Sequence, residues 1–193
     1  MFVYKEYNRN RAVEYAKKWA LSRNPLFFDF AGRGGDCTNF VSQCIYAGCC
    51  TMNFTPDFGW YFINSDNRAP AWTDVEYLYD FLTGTPLFIT ENQGIGPYGF
   101  EVDSTKAIEG DVVQLANESG DFYHTLIICG FEGGDTLVCA HTNDALDRPL
   151  SSYNFASLRY IHIEGARMIV SNDTCYENLL NGISLGIGPM PRQ

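Results

Sequence analysis

The chain is short of histidine, of basic charge and of long apolar runs, and each shortage excludes something. Thirteen Lys and Arg stand against 23 Asp and Glu, a net charge of -10 over 193 residues. A nucleic-acid or anionic-membrane surface needs stripes of Lys and Arg, so neither partner is expected. No apolar stretch approaches the roughly 18 residues of a membrane span. The opening Met-Phe-Val-Tyr-Lys-Glu-Tyr lacks signal-peptide architecture, and the expected location is the cytoplasm. Seven cysteines make an odd set, with Cys49 and Cys50 adjacent, and do not read as a disulfide framework. A reducing compartment follows as the expectation. Cys-x-x-Cys and His-x-x-x-His spacings are missing, so neither a metal nor another cofactor is expected. Repeats and linkers are missing too. Residues 1–193 read as one domain, with its core over about 7–163 and a C-terminal extension over 164–193.

What is present suits a globular domain: 46% hydrophobic and 15% aromatic residues are enough for an adequate core. Ala12, Val13, Ala16, Trp19 and Ala20 share one side of an amphipathic helix expected over residues 10–22, ended by Asn24-Pro25. Thr73 and Glu76 have the spacing of a capping box that opens a helix running to about Thr83. Residues 85–106 lack a period and read as a long surface loop. After them the pattern changes to that of strands, over 111–115, 122–130, 135–142 and 158–163. Helices first and an antiparallel sheet afterwards make an α+β domain.

The stretch from Gly34 to Gly48 carries the chemistry. Asp36 is placed as a helix N-cap. Phe40, Val41, Cys44 and Ile45 recur at helical spacing, and Gly48 offers a stop. Cys37 then occupies the first helical turn, partly exposed, where free amides and the helix dipole favour a thiolate. The same amides are placed to hold an oxyanion. Cys44, Cys129 and Cys139 lie within apolar runs and read as core.

A catalytic cysteine needs a base, and only His124, His141 and His162 are available. His124 begins one strand and His141 ends the next. With Glu132-Gly133 as the hairpin loop, His124 faces His141; with Gly133-Gly134 as the loop, Asn143 takes that place. Leu126 and Ile128 share the face of His124, which therefore looks inward. Cys37, His124 and a third polar group, His141 or Asn143, provide nucleophile, base and orienting partner in chain order. His162 reads as a half-buried strand residue.

Asp36-Cys37-Thr38-Asn39-Phe40-Val41 resembles the Asp-Cys-Ser/Thr-x-Phe-Val signature of NlpC-type and CHAP-type cysteine peptidases in the papain-like superfamily. Gly110-Asp111-Val112-Val113 and Tyr123-His124-Thr125-Leu126-Ile127 resemble their sheet strands. Tyr7-Asn8-Arg9, Ala12-Val13-Glu14-Tyr15-Ala16, the run Gly35 to Gln43, and Arg148-Pro149-Leu150-Ser151-Ser152-Tyr153 resemble the bacterial putative amidase domain family. The resemblance runs from about Tyr7 to Ile163. It implies a papain-like fold, with N-terminal helices packed on an antiparallel sheet. The implied chemistry is hydrolysis of an amide bond, in a peptide or a cell-wall peptide, by Cys37 with His124 as base. It also favours His141 over Asn143 as the third member, since NlpC-type relatives place a histidine there. Ala31 stands where papain-type enzymes carry a glutamine, six residues before the cysteine.

Other readings stay open at this level. An acyltransferase would use the same acyl-enzyme. A silent binding domain would line a groove with Trp60, Tyr61 and Trp72. A metal module would bring together Cys37, His124 and His141.

Overall fold

Helix α2 (Cys37–Cys49) is buried along its whole length, and the rest of the chain wraps it. The structure, a computed structural model, describes residues 2–84, 94–169 and 175–187. Strand β1 (Val3–Glu6) leads into α1 (Arg9–Trp19), capped by the Asn8 side chain, which accepts from Arg11 N at 3.1 Å. The short β2 (Phe62–Asn64) and β3 (Asn67–Arg68) form a ribbon of their own. Then follow α3 (Pro70–Thr73), α4 (Val75–Thr83), β4 (Gly96–Val102) and β5 (Val112–Ala116). The long hairpin β6 (Phe122–Glu132) and β7 (Asp135–Ala140) precedes β8 (Ala145–Pro149), β9 (Ser157–Met168) and α5 (Cys175–Leu180). This is an α+β architecture.

The main sheet runs β1-β9-β5-β6-β7-β8, with β4 also paired to β9, and its pairings are antiparallel. The sheet curls into a half-barrel, and the twelve-residue β9 is shared among β1, β4 and β5. Alternation along β5 and β6 feeds two cores. Val112, Ile127 and Cys129 pack with Phe40, Val41 and Cys44 of α2 on the helix side. Val113, Leu115, Leu126 and Ile128 pack with Val138, Leu150 and Tyr160 on the other.

A helix buried on all sides must satisfy its own polar residues. Ser42 Oγ accepts from Trp60 Nε1 at 3.0 Å, and Gln43 Oε1 accepts from Tyr15 Oη at 2.8 Å. Asn39 Oδ1 accepts from Trp72 Nε1 at 2.9 Å. Trp60 and Trp72 are thus fully buried partners of α2, 4.6 Å apart, and no groove is built from them. Gly48 does not stop the helix. A Cβ there would meet the Tyr7 ring at 2.1 Å, so the glycine lets the start of the chain pack against α2. The stop is Cys50, in left-handed geometry at φ 53°.

Several expected boundaries move. Asp74, not Thr73, caps α4, accepting from Glu76 N and Tyr77 N at 3.0 Å. Within the expected loop over 85–106, residues 96–102 form β4, while 85–93 lie outside the described residues. The expected C-terminal extension is tied into the fold: β9 continues to Met168, and Cys175, Tyr176, Leu179 and Leu180 join the helix-side core. Cys50 and Cys175 form a disulfide across 125 residues of sequence. That single bridge, with the other five cysteines free, removes the ground for expecting a reducing compartment. Among the described residues no helix is long and apolar enough to cross a membrane.

Candidate active site

The backbone enters α2 through Gly34 and Gly35, at φ 100° and 123°, a conformation L side chains rarely adopt. Asp36 follows at the cap position, but its carboxylate makes no capping bond. It is fully buried and turned toward the chain around it. Oδ1 accepts from Phe30 N at 2.9 Å and Asn39 Nδ2 at 2.8 Å, while Oδ2 lies 2.6 Å from His141 Nδ1. The Asp36 amide donates to Thr142 Oγ1 at 2.7 Å. The other nitrogen of His141, Nε2, lies 2.9 Å from the Trp19 carbonyl. Both ring nitrogens of His141 thus have an oxygen partner, which ties the ring to Asp36 on one side and to the end of α1 on the other. The ring stacks on Phe40 at 4.0 Å, and the residue is 1% exposed. Arg23 Nε, 3.6 Å from Asp36 Oδ2, adds positive charge at the edge. The carboxylate expected to cap a helix instead clamps α2 to the end of α1 and to the turn after β7.

Cys37 is 7% exposed, so the partial exposure expected of it is not found. Its sulfur lies 3.8 Å from Thr38 Oγ1 and faces the backbone N–H of Thr125, the residue after His124. Burial pushes the thiol pKa above its ordinary value. The Thr125 amide, the Thr38 hydroxyl and the first-turn amides pull it down by less. The thiolate expected from the helix dipole is therefore not the resting form. Desolvation wins over a partial charge of about half a unit.

His124 is 6% exposed, between the rings of Tyr123 and Tyr153 at 6.2 and 6.0 Å. Burial, and then the Arg148 guanidinium, lower its pKa to about 4. Arg148 itself sits over Tyr153, 3.9 Å from the ring centroid. The imidazole is neutral at pH 7. No hydrogen bond joins the side chains of Cys37 and His124 among the described residues. What the structure brings together is the sulfur and the strand that bears the histidine.

The expected His124–His141 contact is not made. The hairpin loop is Gly133-Gly134, with Glu132 opposite Asp135, but the register shifts between Ile128 and Gly130. Cys129 is the extra residue of a β-bulge. Beyond it Ile127 pairs with Cys139, which moves Cys139 and His141 to the helix-side face. His124, opposite Leu115 on β5, stays on the other face. Asn143 lies exposed in the turn after β7, at φ 66°. Histidines on opposite faces of one sheet cannot share an ion with Cys37, so that metal module is not formed.

Sequence reasoning missed a buried polar chain beside the cysteine. Thr38 Oγ1 and Thr125 Oγ1 are 2.9 Å apart, and Gln114 Nε2 lies 3.4 Å from Thr125 Oγ1. Gln114 Nε2 also donates to the Val75 carbonyl at 2.7 Å, and its Oε1 accepts from Arg159 Nε at 2.7 Å. Arg159 lies between the rings of Tyr79 and Phe122, at 3.5 and 3.7 Å, and reaches Glu76 at 2.9 Å. The available signal was a lone glutamine inside Val-Val-Gln-Leu, since a polar residue in a buried strand needs partners.

An α+β domain with a buried thiol at a helix start, facing a histidine-bearing strand, defines the class. The chain belongs to the putative amidase domain family, whose sequence profile matches residues 6–163. It is also similar to the uncharacterized protein YhbB of Bacillus subtilis (strain 168), at 32% identity over 145 residues. That match takes in 72% of this chain and 43% of YhbB, so the chain spans less than half the relative's length. No solved structure matches the chain.

Proposed function

We propose that the protein hydrolyses an amide bond in a peptide or peptidoglycan-type peptide, through an acyl-enzyme on Cys37 with His124 as the base. The observation that carries the proposal is the Cys37 sulfur, held in the first turn of α2 against the amide of the residue that follows His124. Membership of an amidase family supports the bond type. A helix-borne cysteine followed by a strand-borne histidine is also the chain order of papain-like enzymes, and on this reading the fold is papain-like.

Both groups rest neutral, so the proton moves as the bond forms. Cys37 Sγ attacks the amide carbon, its proton passes to His124, and the carbonyl oxygen becomes an oxyanion near the first-turn amides. The imidazolium then gives its proton to the leaving amine, and a thioester remains. Water attacks the thioester, loses a proton to His124 and releases the acid, while the thiolate takes that proton back. Catalytic hydrogen bonds often tighten only when substrate is bound, and on this reading the thiol–imidazole hydrogen bond forms at that stage. Asp36 and His141 are positioning residues: they fix where α2 starts.

The test is limited labelling with iodoacetamide read by mass spectrometry, beside hydrolysis of cell-wall peptides by the same samples. Cys37 should be alkylated ahead of the other free thiols, and His124→Ala should remove that lead. Cys37→Ala should abolish hydrolysis, and His124→Ala should slow it by about 10²- to 10⁴-fold. Labelling of Cys44 or Cys49 as fast as Cys37 would overturn the assignment.

A further inference from the structure

The bulge that separates the histidines also builds a second cluster. Cys129, its extra residue, joins Cys139 on the helix-side face, and a hydrogen bond links the two thiols. The backbone N–H of Asp147 on β8 donates to Cys139. Asp147 sits in left-handed geometry at φ 48°, which aspartate tolerates better than most residues. Its Oδ1 is enclosed, and the Lys17 ammonium 3.2 Å away is its partner. The two sulfurs and a carboxylate oxygen all lie within 4.8 Å of one another.

We propose that Cys129, Cys139 and Asp147 bind a zinc-type divalent cation, a site distinct from the proposed catalytic cysteine. Zn²⁺ bonds to sulfur at about 2.3 Å, which sets neighbouring donors of a tetrahedron roughly 3.8 Å apart. Donors already within 4.8 Å reach that geometry by a contraction of about 1 Å. Two thiolates with one carboxylate select zinc over magnesium or calcium, which take oxygen ligands. Water supplies the fourth position from the Asp147 side, where both Asp147 and Lys17 reach solvent. The Lys17–Asp147 pair is half-exposed and therefore weak, and it gives way to a divalent ion. Binding releases the two thiol protons to solvent, and the Lys17 ammonium keeps its own. The ion would join the β6 bulge to β7 and β8, the strands that lead into His141 and carry Arg148.

The full chain, stripped of metal and kept under argon without reductant so that Cys50–Cys175 stays closed, is titrated with Zn²⁺ and separately with Co²⁺. One equivalent should bind. Co²⁺ should give near-ultraviolet sulfur-to-cobalt charge transfer, and Zn²⁺ should raise the melting temperature. Affinity should tighten by roughly 10- to 100-fold per pH unit, because protons leave. The charge-transfer band should vanish in Cys129→Ser and Cys139→Ser and persist in Cys37→Ala. Asp147→Asn, at a half-exposed side chain, should fold and bind at least tenfold more weakly, which keeps the test decisive if a cysteine variant fails to fold. Absence of binding at one equivalent of micromolar metal would overturn the proposal. So would a band that survives both cysteine variants, or unchanged affinity in Asp147→Asn.

Discussion

Acid should weaken this fold through His124 in particular. The folded chain holds that imidazole at about 4, while the unfolded chain returns it to 6.5. Between those values the unfolded state binds a proton that the folded state refuses, so stability falls as pH falls through that window. Above pH 6.5 the ring is neutral in both states and contributes no pH dependence; below about 4 the loss is complete. A difference of about 2.5 units is worth about 3 kcal/mol, a large part of the 5–15 kcal/mol of an ordinary domain. Urea unfolding at pH 7 and pH 4, on the wild type and on His124→Gln, isolates the effect. Carboxylate titrations are common to both proteins and cancel in the comparison. The wild type should lose about 3 kcal/mol more than the variant over that interval. Parallel losses would refute the reasoning, as would an imidazole NMR titration with its midpoint near 6.5. The same ring pKa sets the acid limb of the proposed hydrolysis, which should fall off only near pH 4.

Other perturbations test other parts of the structure. Asp36→Asn replaces an acceptor-only carboxylate oxygen with an amide in a fully buried set of hydrogen bonds and should cost about 1–3 kcal/mol in urea unfolding. Cys50→Ser with Cys175→Ser opens a loop of 125 residues and should cost about 2–4 kcal/mol, with the wild type in reductant losing the same amount.

The parts legible in the sequence are those where one period runs long enough to be read. The helices around Ala12–Ala16 and Phe40–Ile45, and the strands holding Val112, Ile127, Val138 and Ile161, lie where the residue pattern puts them. Cys37 stands in the first turn of α2 for the same reason. Strand β4 was not legible, because Gly-Pro-Tyr-Gly reads as a loop. Pro97 is tolerated there since, among the described residues, β4 pairs only with β9 and leaves its other edge without a strand partner. The role of Asp36 was hidden by its own plausibility as a cap. Nothing local shows that a histidine 105 residues away competes for its carboxylate. The disulfide has the same character, since sequence does not pair Cys50 with a cysteine 125 residues on.

The histidine pair fails for a sharper reason, which is parity. Counting from either hairpin loop assigns His124 a partner among His141 and Asn143, two residues apart and on one face. One inserted residue changes that class altogether, because the side-chain period of a strand is two. With Cys129 bulged out, Cys139 pairs with Ile127 rather than Ile128, and every residue of β7 beyond it changes face relative to His124. The lone hint is Gly130, since a glycine inside a strand pattern often marks a bulge. The same insertion that parts the histidines turns Cys129 toward Cys139, and it frees His141 to hold Asp36 from the helix side. A single residue of β6 thus decides which groups can meet at the Cys37 end of the sheet and which meet at the thiol pair.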